Sequence, residues 1–155
     1  GEHGTAAEWR RLAGEPGTAA RALRPGQRLA LDGATLTVLA VEPGEEGGAV
    51  LLVRYGATRV LLHTGGAGGD RAALAAAGPP LDLLVYPWQR PTDTPLLDAL
   101  RPRAILFSAA YEAHDPVLLS YADRRRASPR LYHQANDGTV ELISDGRSTA
   151  VVRRP

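Results

Sequence analysis

Apolar residues follow two regimes along this chain. Between residues 28 and 63 they alternate with polar ones, or gather into short runs bounded by turn residues. Residues 28–31 and 35–41, the latter with Leu36, Val38 and Ala40 in alternation, flank an Asp32-Gly33 turn and predict a β-hairpin. A polar loop, Pro43-Gly44-Glu45-Glu46-Gly47-Gly48, leads to two more apolar strands, residues 50–55 and 58–63, joined at Gly56-Ala57. Four strands in succession predict an antiparallel sheet. From Gly65 onward strands alternate with helices. Asp70 is placed to cap a helix running to Ala77, residues 81–86 make a short buried strand, and Thr94-Pro95 supplies an N-cap and first-turn proline for a helix ending at Leu100. Residues 104–108 form the next strand. Asp115-Pro116 repeats the capping logic for a helix to Arg126, whose apolar face carries Val117, Leu118, Tyr121 and Ala122. Residues 130–133, 140–144 and 149–153 supply three closing strands, with Asp137-Gly138 and Asp145-Gly146 as turns. Upstream, residues 6–13, with Trp9 and Leu12, and residues 19–23 predict short helical pieces separated by Gly14-Glu15-Pro16-Gly17. The pattern thus predicts a single domain over residues 1–155: a helical N-terminal segment, residues 1–23, and an α/β layered core with a mixed sheet, residues 24–155.

Composition narrows this picture. A chain of 155 residues suits one domain that buries about 70% of its unfolded surface. Its core must be mainly aliphatic, since there is one Phe (Phe107), two Trp (Trp9 and Trp88) and no Met. The lack of Met even at position 1 leads to the expectation of a segment processed or excised from something longer, with Gly1 as a scar of expression. All 18 basic residues are Arg, and Ala, Gly and Pro are abundant, a usage that fits a GC-rich genome or a heat-adapted host. Zero Cys excludes disulfides, thiolate zinc sites and cysteine nucleophiles. No apolar run approaches the ~20 residues of a membrane span, which predicts a soluble domain. A net charge of +1 gives no global pull toward nucleic acid, so any such contact needs a local patch.

Four features could carry chemistry. The histidines His3, His63, His114 and His133 form no i, i+2 or i, i+4 pair, so each reads as a surface or internally satisfied residue. Gly65-Gly66-Ala67-Gly68-Gly69-Asp70, between a strand and a helix, has the composition of an anion-cradling loop. It lacks the Lys-Ser/Thr and the spacing of nucleotide-binding loops, and reads as a flexible crossover. Ser108, His114 and Asp115 supply nucleophile and base types without a nucleophile elbow around Ser108; a strand end and a helix cap explain them. Arg124-Arg125-Arg126 with Arg130 is the dense basic cluster. It complements a helix C-terminus, or contacts nucleic-acid phosphates with Trp88 or Tyr111 as a stacking platform.

The order of strands and turns from Leu23 through Val152 resembles the C-terminal half of a metallo-β-lactamase αββα sandwich, and within that superfamily the domain of the competence DNA-uptake channel (ComEC family). Pro25-Gly26-Gln27-Arg28-Leu29 followed by Thr37-Val38-Leu39 is similar to that family's glycine-bearing hairpin. Leu61-Leu62-His63-Thr64-Gly65-Gly66 resembles its Leu-Leu-Thr-Gly-Asp strand end, with Gly66 where the metal-binding Asp belongs. Trp88-Gln89-Arg90-Pro91 stands where the family has His-His-Gly-Ser. The stretch from Leu97 to Ser108, then His114-Asp115-Pro116, Arg130-Leu131-Tyr132-His133, Asn136-Asp137-Gly138-Thr139-Val140 and Ser144-Asp145-Gly146, is similar to the family's later helix, strand and turn order.

This resemblance implies a degenerate site. Gly66, Trp88 and Gln89 occupy family ligand positions and cannot replace Asp or imidazole, and no His-x-His-x-Asp-His run is present. Neither a catalytic residue nor a resident cofactor is expected in this chain; zinc or manganese is expected only if the parent protein supplies the missing ligands. His114, near the family's active-site mouth, and Asp70, as a replacement ligand, are the residual candidates. The functional expectation is a non-catalytic scaffold or DNA-contacting module of a bacterial DNA-uptake membrane protein, with Arg124, Arg125, Arg126 and Arg130 touching DNA. Its expected partners are the parent channel, DNA and a second copy of the chain covering open sheet edges. The alternative is a fragment of a metal-dependent phosphodiesterase or nuclease whose ligands lie outside this chain.

Overall fold

The computed structural model describes residues 11, 14, 22–43, 48–88, 90–91, 94–107, 129–133 and 137–154. The N-terminal helical pieces apart from Arg11, the strand end at Ser108 and the helix over residues 115–126 lie outside them. The described core is α/β with a seven-stranded mixed sheet, as the change of regime along the sequence predicts. Strands β1 (Arg28–Leu31), β2 (Ala34–Val41), β3 (Ala49–Tyr55) and β4 (Thr58–His63) form an antiparallel meander. Beyond β4 the sheet turns parallel through β5 (Leu83–Tyr86), β6 (Ala104–Phe107) and β7 (Arg130–His133). Helix α1 (Ala67–Ala76) connects β4 to β5, and α2 (Pro95–Leu100) connects β5 to β6.

Alternation along the strands sends apolar residues to both faces of the sheet. One face carries Val50, Leu52, Leu61, Leu84, Ile105 and Leu131, packed with Ala73 and Ala77 and with Leu96, Leu97 and Leu100 of α2. The other carries Leu83, Ala104 and Tyr132, with Val60, Val85 and Leu106. It packs against Val140, Leu142 and Val151 of a separate hairpin, β8 (Thr139–Ser144) with β9 (Thr149–Arg154). The sequence predicts three closing strands; β7 joins the main sheet, while β8 and β9 pair with each other and cover its second face.

Two joints hold that hairpin in place. The Thr58 and Ser144 hydroxyls meet at 2.5 Å, and the Ala57 amide donates to the Gly146 carbonyl at 2.7 Å. Gly56 makes this approach feasible: its φ is +56°, and a Cβ there would sit 2.1 Å from the Gly146 oxygen. At the other joint, Asp82 accepts from the Arg59 amide (2.9 Å), the Thr149 hydroxyl (3.1 Å) and the Arg103 guanidinium (3.1 Å).

The helix boundaries test the capping argument. Thr94 caps α2 as predicted, with extended backbone and its side chain accepting from the Leu97 amide at 3.4 Å. Asp70 does not cap α1. That helix starts at Ala67 with Gly66 at the N-cap, so Asp70 falls in its first turn, and the cap comes from elsewhere in the chain. Among the described residues no helix is long and apolar enough to cross a membrane.

Candidate functional site

Ligand sites of parallel α/β sheets form at the carboxyl ends of the strands. Here β4 ends in His63, β5 in Tyr86, β6 in Phe107 and β7 in His133, and all four are buried. Just past β5, Trp88 is 0% exposed and packs edge-on against Phe107 (centroids 4.6 Å apart) and His133 (4.8 Å). Trp88 is thus a core aromatic, and the expectation of a base-stacking platform there is overturned by its burial.

The glycine loop does cradle an anion, and the anion belongs to the chain. Glu42, immediately after β2, accepts from the Gly66 amide (2.5 Å) and the Gly69 amide (2.7 Å), supplying α1 with its missing cap. These two amides, Gly66 first, hold the Glu42 carboxyl below the usual carboxylate range. Gly68 and Gly69 let the chain come this close: a Cβ on Gly68 would meet the Glu42 carboxylate at 2.5 Å, and one on Gly69 would meet Val50 at 2.6 Å.

Asp70 points back to the sheet. Its Oδ1 accepts from His63 Nε2 at 2.8 Å, and Arg90 grips both oxygens, Nη1 to Oδ1 at 2.8 Å and Nη2 to Oδ2 at 2.5 Å. The guanidinium also lies 5.0 Å from the centre of the Tyr86 ring. Burial raises the Asp70 carboxyl, but the hydrogen bonds and charge of Arg90, joined by His63, outweigh it and leave the group below its ordinary value. The carboxylate only accepts, so His63 must donate through Nε2. His63 Nδ1 is then left with its lone pair, buried and without a partner. Burial is the largest influence on this imidazole and, with Arg90, lowers its pKa against the pull of Asp70 and Glu42. Burial acts in the opposite direction on Tyr86, edge-on to the His63 ring at 5.9 Å, and pushes its phenol up.

The sequence candidates fare unequally. Gly66 is a helix N-cap whose amide is taken by Glu42. Asp70, the expected replacement ligand, has both of its oxygens engaged by Arg90 and His63. Arg130 opens β7 and is exposed. His3, Gln89, Ser108, Tyr111, His114, Asp115, Arg124, Arg125 and Arg126 lie outside the described residues. Sequence reasoning missed Glu42 and a role for Arg90. Glu42 sits 24 residues before Gly66, and no local motif connects them. Among the described residues the donor set does not fit a metal ion: glycine and tryptophan offer no ligand atom at the positions that the resemblance aligns with family ligands, and the carboxylates nearby are bonded to amides and to Arg90. Among the described residues, no three His, Cys, Asp or Glu side chains are grouped to hold one.

No protein-family model matches this chain. No curated protein matches it. A solved structure to which it is similar is the metallo-β-lactamase fold protein YhfI from Bacillus subtilis, at 12% identity and a TM-score of 0.49. The match covers 84% of this chain and 58% of that one, so the chain spans less than two thirds of that protein.

Proposed function

We propose that this chain is a metallo-β-lactamase-like domain that has kept its sheet and lost its metal chemistry, and that it serves as a scaffold or contact module. The observation that supports this reading is the mutual engagement of the polar groups at the carboxyl ends of the strands: Glu42 with the Gly66 and Gly69 amides, and Asp70 with Arg90 and His63. The finer assignment, to a competence-type DNA-uptake protein with DNA as a partner, is carried by the sequence pattern from Leu23 through Val152 and by the arginines at 124–126 and 130.

Elemental analysis and zinc and manganese titrations of the purified chain test the reading, together with hydrolysis of bis-p-nitrophenyl phosphate. Substoichiometric metal and background hydrolysis are expected. Stoichiometric metal that is lost in Asp70→Ala or His114→Ala would overturn it. For the DNA contact, single-strand binding is expected to weaken with salt and with replacement of Arg130 together with Arg124, Arg125 and Arg126. Binding that ignores both would remove DNA as a partner of this patch.

A further inference from the structure

His63 is placed so that taking up a proton conflicts with the packing around it. Its Nε2 already donates to Asp70, so a proton can add only at Nδ1. That atom is buried with no acceptor, and an imidazolium N–H left unsatisfied there carries the full penalty of a desolvated donor. The backbone pressed against the ring is Gly69 of α1: its Cβ position lies 3.1 Å from His63 Cε1, the carbon between the two nitrogens, and 3.3 Å from Nε2. Moving the first turn of α1 away would therefore uncover the Cε1–Nε2 edge of the ring, which adjoins Nδ1.

That turn is weakly rooted. Gly65, Gly66, Gly68 and Gly69 contribute no side chain to the core. Its anchors are the Glu42 carboxylate on two of its amides and the Arg90 clasp on Asp70. The groups that face the imidazole are Asp70 from α1, Arg90 from the turn after β5, Glu42 from the end of β2 and Tyr86 from β5. Arg90 opposes a second positive charge, and the two carboxylates favour one without offering Nδ1 an acceptor.

We infer that His63 is an acid-operated latch: when Nδ1 is protonated, the first turn of α1, residues 66–70, detaches from β4 and from the Arg90 turn while the parallel sheet stays folded. The inference does not depend on the proposed loss of metal chemistry. Because the imidazole is harder to protonate when latched than when open, opening is favoured as pH falls below the ordinary histidine range. The equilibrium between latched and open forms should shift by up to tenfold per pH unit below about pH 6.5, until the latched imidazole itself titrates. Asp70 and Glu42, both held below the ordinary carboxylate range, respond at lower pH.

Amide hydrogen exchange of the full chain, corrected for the intrinsic pH dependence of exchange, tests this. The protection factor of Gly69 should fall up to tenfold per pH unit below about pH 6.5, while that of Ile105 in β6 stays constant. In His63→Gln the Gly69 protection should be flat over the same range. An equal fall in His63→Gln would assign the effect to the carboxylates and overturn the latch, as would a parallel fall at Ile105. If the variant does not fold, the 15N shifts of the His63 ring in the unaltered protein decide. Nδ1 remaining unprotonated until Gly69 loses protection is expected, whereas protonation with Gly69 protection unchanged overturns the inference.

Discussion

At the amino ends of the parallel strands, Asp82 accepts from a backbone amide, a threonine hydroxyl and a guanidinium, and fastens the β8–β9 hairpin to the sheet. At the carboxyl ends, Asp70 accepts from an imidazole and a guanidinium and fastens α1. Both are aspartates at the rim of one sheet, with side chains 11% and 21% exposed. The partners differ in kind. Amide and hydroxyl donors do not change protonation across the ordinary pH range, whereas an imidazole takes up a second proton. The same residue type therefore makes a constant joint at one end of the sheet and a proton-sensitive one at the other. Open α/β sheets place their chemistry at the carboxyl end; here that end keeps titratable side chains but directs them at one another.

Three substitutions would break or sharpen this contrast. The largest effect is expected for Trp88→Ala. It removes a fully buried indole packed on Phe107 and His133 and should cost about 4 kcal/mol in chemical denaturation. A loss below about 1 kcal/mol would mean that this position is not the core residue its burial describes. Asp82→Ala comes next, at about 2 kcal/mol, because it leaves the Arg59 amide and the Thr149 hydroxyl without their acceptor. Exchange protection should fall in β8 and β9 and hold at Gly69; loss at Gly69 would show that the two ends are coupled.

The smallest effect is expected for Glu42→Gln, which leaves α1 with a weaker, neutral cap at about 1 kcal/mol. Here pH gives a second reading. The folded carboxyls of Glu42 and Asp70 lie below their unfolded values, so their stabilisation is complete above about pH 4 and is lost as pH falls through the folded values. Glu42→Gln should therefore flatten the acid limb of the stability curve. An unchanged limb would place the acid sensitivity elsewhere.

Much of the architecture was legible because it is local. The Asp32-Gly33 and Gly56-Ala57 turns, with the alternation on either side, specify the meander, and Thr94-Pro95 specifies the start of α2. What misled was also local. Asp70 has the right residue type and position for an N-cap, but its carboxylate is drawn to Arg90, 20 residues later. The three closing strands are alike in pattern, and their division between sheet and hairpin depends on contacts such as Thr58 with Ser144, 86 residues apart. His63 reads from the sequence as one of four scattered histidines. Its burial and its orphaned nitrogen come from strands and a helix that meet only in the folded chain.

By itself, the sequence determined the strands of the described core, the start of α2 and the α/β class, because periodicity and turn chemistry need no partner to be read. Only the tertiary structure decided that Glu42 caps α1, that Arg90 holds Asp70 and that His63 has one nitrogen bonded and one sealed. Those outcomes depend on which charged groups come within hydrogen-bond reach and how much water is excluded around them. Both are set by packing between segments that the sequence keeps far apart.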